Sequence, residues 1–358
     1  MAFTSLSGDL VPGDGNAVYD VFVHDRAKGT TLRASLSSNG GEANDDCEYP
    51  HLSADGQVVA FESRSSQLVP NDTNGSRDVF VHELATGTTE RVSVDSSGGQ
   101  VFGSSYTPTL AADGSRVAFS SNAAGLVPGD TNSWSDIFVR DRQAGTTVRV
   151  SVSSAGQQAN GASEEPRISS DGRYVVFHSL ASNLVPGDTN AAWDVFVHDL
   201  ATAQTSRVSV DSAGAEGDAL SLYASISGDG RHVAFTSWAT NLVVGDANGV
   251  PDCFVHDRAS GATTRVSVDS AGVEGADESW FPALSADGHF VAFHSLAKNL
   301  VAGPSGASWA VYLHDRRTGE TTLESRSSEG KPAQWDARYP ALSADGSQVV
   351  FSCWADNL

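Results

Sequence analysis

Ser53-Ala54-Asp55-Gly56-Gln57-Val58-Val59-Ala60-Phe61-Glu62-Ser63, followed downstream by Asp78-Val79-Phe80-Val81-His82-Glu83, is the stretch on which the fold turns. Both runs have strand length and are rich in β-branched and aromatic residues. The Asp-Gly ahead of the first is a hairpin signal, because glycine accepts a positive φ at little cost. Both runs recur. The Phe of Phe61-Glu62-Ser63 has counterparts at Phe3, Phe119, Phe177, Phe235, Phe293 and Phe351, each 58 residues from the next. The second run returns from Asp20, Asp136, Asp194 and Asp252, and in departing form from Ala310. The turn phrase returns in phrases ending at Gly114, Gly172, Gly230, Gly288 and Gly346.

One period holds four such runs. Residues 165–169, 173–179, 194–200 and 205–210 are each bounded by Gly, Asp or Ser, and no window shows sustained helical periodicity. Four strands repeated six times predict an all-β chain, a six-bladed β-propeller of four-stranded antiparallel blades, with repeats starting at residues 3, 61, 119, 177, 235 and 293. Stacked blades bury apolar residues on both faces of each sheet, which a lone four-stranded unit cannot do. An open β-solenoid is the alternative, disfavoured because short β-helix repeats have other lengths. Length alone would suggest about two domains; the repeats override it and predict one propeller domain over 1–358.

Composition narrows the function classes. Lys and Arg number 22 against 44 Asp and Glu, a net charge of −22, which argues against a nucleic-acid or anionic-lipid partner. No run approaches 18 apolar residues, so no membrane insertion is expected. Hydrophobic residues are 39 %, enough for a packed core. No charged segment followed by an apolar run opens the chain. The native protein is nevertheless expected to be longer and exported, extracellular or on the cell surface.

The pattern Ser-x-Asp-Gly-x-x-Val-Ala-Phe-x-Ser followed by Asp-Val-Phe-Val-His-Asp-Leu resembles the TolB-like (WD-repeat-like) six-bladed propeller repeat, which also occurs in the propellers of tricorn-like and prolyl-oligopeptidase-like proteases. The likeness covers essentially the whole chain; it is specific for fold and weak for function. The family usually has Pro after the first Ser, where Ala54, Ser170, Gly228, Ala286 and Ala344 stand here. The family's peptidases carry their catalytic residues on a separate domain, for which this chain has no room. By this resemblance the strands are A (Pro50 to Ser53), B (around Phe61), C (around Phe80) and D (around Val92), giving six A, C and D strands but seven B segments. Residues 3–10 and 351–358 are both B copies. The expectation is a closing blade shared between the termini, with A from the C-terminus and C and D from the N-terminus, in which two B copies compete for one slot. A monomer is expected, with strand exchange through the duplicated segment as the alternative; an excised domain and an engineered propeller would both explain ends cut at the same phase.

In a propeller the B–C and D–A loops emerge on one face. Here they are the long ones, so that face is the expected working surface. Just before the A-strand Pro position stand Glu48, Tyr106, Glu164, Leu222, Trp280 and Arg338, and next to them Tyr49, Thr107, Glu165, Tyr223, Phe281 and Tyr339. The first set shares no chemistry among the copies, and both sets should ring the channel mouth, where Glu and Arg can hydrogen-bond a ligand and Tyr and Trp can stack on it. Ordinary loop residues over a water-filled channel are the alternative. Trp134, Trp193 and Trp309 in the B–C loops either extend a sugar-stacking surface or pack against the neighbouring loop; packing is expected. His51 and Arg167 fall on A strands as further candidates.

Five B–C loops share a triad: Asp14/Asn16/Asp20, Asp72/Asn74/Asp78, Asp130/Asn132/Asp136, Asp188/Asn190/Asp194 and Asp246/Asn248/Asp252. In the sixth copy Pro304, Gly306 and Ala310 stand at all three places, so the three act as a unit. One such unit is a calcium site built from carboxylate and amide oxygens; the other is an Asx-turn network, favoured because three donors fall short of the 6–8 that Ca²⁺ takes. The cysteines, Cys47, Cys253 and Cys353, show no zinc spacing, and a Cys47–Cys353 bridge has no support in the sequence. His24, His82, His198, His256 and His314 share one C-strand phase and cannot converge on a metal. The acids after that phase (Asp25, Glu83, Asp141, Asp199, Asp257, Asp315) are expected to accept turn hydrogen bonds. No nucleophile elbow, P-loop or His-Glu-x-x-His is present. The expected function is a non-catalytic binding propeller that takes a glycan or a protein on its loop-rich face. The alternatives are a lyase or hydrolase at the channel mouth, for which Glu48 and Glu164 are the carboxylates, and a scaffold without a specific ligand.

Overall fold

A computed structural model describes residues 1–305 and 308–358, so Gly306 of the sixth triad lies outside the described residues. Every regular element is a strand. The A strands are Cys47–Leu52, Ser105–Leu110, Ser163–Ile168, Ser221–Ile226, Ser279–Leu284 and Ala337–Leu342. The B strands are Ala2–Ser5, Val58–Ser63, Arg116–Ser121, Tyr174–Ser179, His232–Ser237, Phe290–Ser295 and Val349–Cys353. The C strands are Asp20–Asp25, Asp78–Glu83, Asp136–Asp141, Asp194–Asp199, Asp252–Asp257 and Ala310–Asp315. The D strands are Thr30–Arg33, Thr88–Arg91, Thr146–Arg149, Gln204–Arg207, Ala262–Arg265 and Thr321–Leu323. The D strands end earlier than expected, at Arg91 rather than through Val92, because a tight loop closed by a single bridge, Val94 to Gln100 and its equivalents, takes over.

Five sheets have the order A-B-C-D. The first sheet is B-C-D and the last A-B. Each terminal B copy pairs on one side, Phe3 with Phe22 and Val350 with Ala341, keeping the neighbour nearest in sequence. Two compact units partition the chain, Met1–Val175 and Val176–Leu358, the boundary falling inside the B strand Tyr174–Ser179.

Within each unit the sheets pack face on face. Ala60, Val79 and Val81 of one sheet close a core with Val117, Phe119 and Phe138 of the next. Ala234, Cys253 and Val255 do the same with Val291, Phe293 and Tyr312. Interior B and C strands are covered on both sides, so they read as continuous apolar runs. The repeated Phe pairs lie directly opposite across B and C, with ring centroids 5.7–6.0 Å apart, each pair worth about 0.5–1.5 kcal/mol beyond area burial.

The Ser-x-Asp-Gly phrase is a clamp. Ser53 Oγ donates to Asp55 Oδ1 (2.6 Å) and accepts the Val58 N–H (2.9 Å). At Gly114 φ is +69° and a Cβ would sit 3.0 Å from the Val58 Cβ, so a turn and a close approach both need glycine there. The residue after the Ser position donates its N–H to the equivalent turn one repeat on: Ala54 to Ala112 O, Ala112 to Ser170 O, Gly228 to Ala286 O and Ala286 to Ala344 O. Proline has no N–H to give, which accounts for its absence at this place.

Candidate functional site

The A strands position the site by breaking their own regularity. Register shifts fall between Glu48 and His51, Tyr106 and Thr109, Leu222 and Ser225, Trp280 and Ala283, and Arg338 and Ala341. Within the A strands Tyr49, Thr107, Glu165, Tyr223, Phe281 and Tyr339 hold φ between +48° and +54°. For residues other than glycine this left-handed conformation costs about 1–2 kcal/mol each. Such strain persists only where the surroundings over-determine it, and bulges re-aim side chains. In a regular strand adjacent residues face opposite ways; here both Tyr106 and Thr107, and both Glu164 and Glu165, line one pocket. All the predicted ligand positions sit on these bulges, at the end of the blade where the long loops emerge.

Sequence reasoning missed what holds the bulges. In three copies the variable residue of the Phe-x-Ser phrase accepts the strained N–H of the next repeat: Glu62 Oε2 from Thr107 (2.5 Å), Thr236 Oγ1 from Phe281 (3.2 Å) and His294 Nδ1 from Tyr339 (3.3 Å). The signal was available, since this x varies among the copies as the bulge residues do.

In unit Met1–Val175 the bulges carry charge. Arg77 Nη1 bridges Glu48 (2.9 Å) and Glu62 (2.5 Å). Burial pushes the Glu62 carboxyl up, opposed by Arg77 and by the Thr107 N–H. His51 Nδ1 accepts the Leu110 N–H (3.1 Å), and burial, helped by Arg167, pushes its pKa down to about 4, so it is a neutral structural acceptor. A pocket of about 320 Å³ lies between two bulges, with Tyr106 and Thr107 on one, Glu164 and Glu165 on the next, and Ser120, Asn122 and Ser135 between them. Burial raises the Glu165 carboxyl, with Arg167 opposing.

In unit Val176–Leu358 the same places are aromatic. Tyr223 stacks on Phe281 (4.1 Å between centroids), and Phe281 meets Tyr339 edge-on at 5.1 Å. Trp280 is braced by Trp238 (4.6 Å) and donates Nε1–H to Glu278. Trp193 and Trp309 each lie edge-on to a B-strand histidine, His178 or His294, at 5.0 Å. Arg338 sits over Trp309 and pairs with Asp336. Tyr339 remains 56 % exposed. Trp134, in the other unit, is exposed.

The triads are organised by an arginine that sequence reasoning overlooked. Arg33, Arg91, Arg149, Arg207 and Arg265, at the ends of the D strands, point Nη1 among the carboxylates. Arg33 lies 3.0 Å from Asp14 and 3.5 Å from Asp20, Arg91 3.2 Å from Asp72 and 3.4 Å from Asp78, and Arg149 3.3 Å from Asp130 and 3.5 Å from Asp136. Ser93 Oγ donates to Asp78 Oδ1 (2.6 Å). The sixth copy has Leu323 where the arginine would stand, so the arginine is lost with the triad.

The asparagines of these loops form Asx turns. Each accepts, at its Oδ1, the backbone N–H two residues on: Asn16 from Val18 (3.4 Å), Asn74 from Ser76 (2.9 Å), Asn132 from Trp134 (2.9 Å), Asn190 from Ala192 (2.8 Å) and Asn248 from Val250 (3.0 Å). This is the Asx turn. The amide at the other end donates to the carbonyl of Ala43, Val101, Ala159, Gly217 or Gly275, 27 residues further along. In three copies it also donates to a triad carboxylate, Asn74 to Asp78, Asn190 to Asp194 and Asn248 to Asp252. An N–H therefore faces the carboxylate where a metal ligand would present an oxygen. Asn16, Asn74, Asn132, Asn190 and Asn248 shape the loop rather than complete a cation shell.

Carboxylates alone come closer to one. Oxygens of Asp188, Asp194 and Glu216, and of Asp246, Asp252 and Glu274, lie near enough together to hold a cation. Arg207 and Arg265 already lie among them, and a metal would have to displace a guanidinium. Burial, first among the causes, raises Asp188, Asp246 and Asp252 to about 6.

The repeated histidines pair with D-strand threonines, His82 Nδ1 lying 2.8 Å from Thr89 Oγ1. The acids that follow take turn N–H groups, as Asp25 does from Ala27. All three cysteines are free thiols.

No protein-family model matches the sequence, and no curated protein does. Solved structures do match. TolB from Acinetobacter baumannii aligns at 15 % identity and TM-score 0.50 over 92 % of this chain and 64 % of that one. An oligogalacturonate lyase in complex with manganese aligns at 12 % identity and TM-score 0.55, over 95 % of this chain and 80 % of that one. The β-propeller domain of the Trilobed protease from Pyrococcus furiosus, described as having an open velcro topology, aligns at 12 % and 0.51 over 87 % and 78 %. At such identities the likeness is one of fold: the chain has a TolB-like β-propeller fold. It spans 64 % of the length of the Acinetobacter TolB.

Proposed function

We propose that this chain is a six-bladed propeller that binds carbohydrate without transforming it, using the residues on its A-strand bulges. The observation that carries this reading is that six strained backbone positions hold φ between +48° and +54° without a glycine or asparagine among them, presenting Tyr at three copies and Thr, Glu and Phe at the others. Scaffold roles would favour glycine or asparagine there; recognition favours diversity. The Tyr223, Phe281 and Tyr339 rings favour sugar over protein, because adjacent rings at different tilts suit successive faces of a saccharide chain. Binding of the whole chain to a glycan array, lost in Phe281→Ala, tests the reading; binding to no glycan would sink it and leave a protein ligand or a bare scaffold.

A second reading is an enzyme at the same bulges. Its support is the pair Glu164 and Glu165 in one pocket, with the Glu165 carboxyl raised by burial, an arrangement general acid–base chemistry uses. Turnover of a bound polysaccharide, abolished by Glu164→Gln, would establish it over the first.

A further inference from the structure

The pocket in unit Met1–Val175 has an unbalanced chemistry. Among the described residues that line it, Glu164 and Glu165 are the only charged side chains, and neither carboxylate has a hydrogen bond or ion pair. This contrasts with the other carboxylates of the bulge region: Glu48 and Glu62 are held by Arg77. Arg167, the cation nearest in effect to Glu165, directs Nη1 to the Pro166 carbonyl (3.1 Å) instead. Two acceptor-only groups thus face a cavity with no donor assigned to them. The remaining wall is neutral and polar. Ser120 and Thr107 share a hydrogen bond (3.2 Å). The Asn122 carbonyl is taken by the Ser104 N–H (2.7 Å), leaving its amide donors, and Tyr106 supplies an aromatic side.

We infer that this pocket seats an amino sugar, its ammonium group held by Glu164 and Glu165. An ammonium brings three donors to acceptors that lack any. Sugar hydroxyls meet Asn122, Ser120 and Thr107, and the ring face meets Tyr106. At about 320 Å³ the pocket stands at the small end of ligand sites, suited to one ring and too roomy for a bare cation, which needs 6–8 oxygens within about 2.6 Å. The inference rests on the carbohydrate reading and narrows it.

The test is calorimetric titration of the whole chain with a chitosan hexamer (free amines), a chitin hexamer (amines acetylated), and glucosamine against N-acetylglucosamine. The amine forms are expected to bind at least tenfold more tightly. The variant E164Q/E165Q should erase that preference while retaining affinity for the chitin hexamer. Because the chain is strongly acidic, E320Q/E329Q, which removes the same charge from exposed sites, serves as control and should keep the preference. Equal binding of amine and acetylated forms, or equal loss in the control, overturns the amino-sugar inference and leaves the carbohydrate reading standing. Absence of binding by every saccharide overturns both. Melting temperatures within a degree or two of the parent would confirm that the variants fold.

Discussion

The two compact units use one backbone device for opposite chemistries. In Met1–Val175 the bulges present Glu48 with Tyr49, Tyr106 with Thr107, and Glu164 with Glu165; in Val176–Leu358 they present Leu222 with Tyr223, Trp280 with Phe281, and Arg338 with Tyr339. The B-strand acceptors seen to hold a strained N–H differ too: a buried Glu62 tied to an arginine in the first, the Thr236 hydroxyl and the His294 imidazole in the second. Geometry is thus fixed by the repeat, and chemistry is free to drift wherever a strained N–H finds any acceptor.

The sharpest test of that contrast is stability. Glu62→Ala leaves Arg77 and the Thr107 N–H without their buried partner and should cost about 3–5 kcal/mol, whereas Thr236→Ala, which removes a neutral acceptor, should cost about 1 kcal/mol. Urea unfolding of both variants reads the difference, and equal losses would break the comparison. Acid is the next lever. Burial, the largest cause, with Arg338 adding to it, pushes His294 down to about 3. Its folded value is depressed, so the unfolded chain binds the extra proton. The stability it contributes is present above the ordinary value near 6.5 and is lost as pH falls towards 3. His294→Gln should therefore flatten the melting temperature between about pH 6.5 and 4, an effect of order 2 kcal/mol. Burial raises Asp188, Asp246 and Asp252 instead. Their contribution is present below about 3.8 and lost as pH rises through about 6, so Asp246→Asn should change the same curve in the opposite sense.

Smaller effects sharpen the functional side. Phe281→Ala should weaken oligosaccharide binding roughly tenfold, about 1.4 kcal/mol. Thr107→Asn, which relieves a β-branched residue at φ +48°, should raise the melting temperature slightly rather than lower it. Smallest of all, millimolar calcium should leave the parent's melting temperature unchanged and raise that of Arg207→Ala, in which Asp188, Asp194 and Glu216 lose their guanidinium.

Most strands were legible because Phe-x-Ser and Asp-Val-Phe-Val-His-Asp repeat at a fixed spacing and pattern, and burial on both faces leaves little room to vary. The bulges were not legible. Left-handed backbone usually advertises itself as glycine or asparagine, but here it falls on Tyr, Thr, Glu and Phe, and at Thr107, Phe281 and Tyr339 it is answered by a side chain 45 residues earlier. Half of the loop cluster was readable: the joint replacement of Asp and Asn in the sixth copy pointed to a unit, and the Asx turns at Asn16, Asn132, Asn190 and Asn248 follow from residue type alone. Its centre stands on another strand, and only the coincidence of Leu323 with those replacements could have revealed the arginine. The pairing of the terminal B copies also escaped the sequence, because two segments at the same repeat phase carry no mark of which neighbour each prefers.

The loop cluster also constrains how a repeat can change over generations. A guanidinium cannot shed its charge by releasing a proton, whereas a buried carboxylate can take one up. A lineage that dropped the aspartates first would strand a cation in the interior; one that replaced the arginine first would leave acids able to neutralise themselves. The sixth copy, with Leu323 and Ala310 at these places, is therefore most simply reached through the leucine, and its history has a preferred direction.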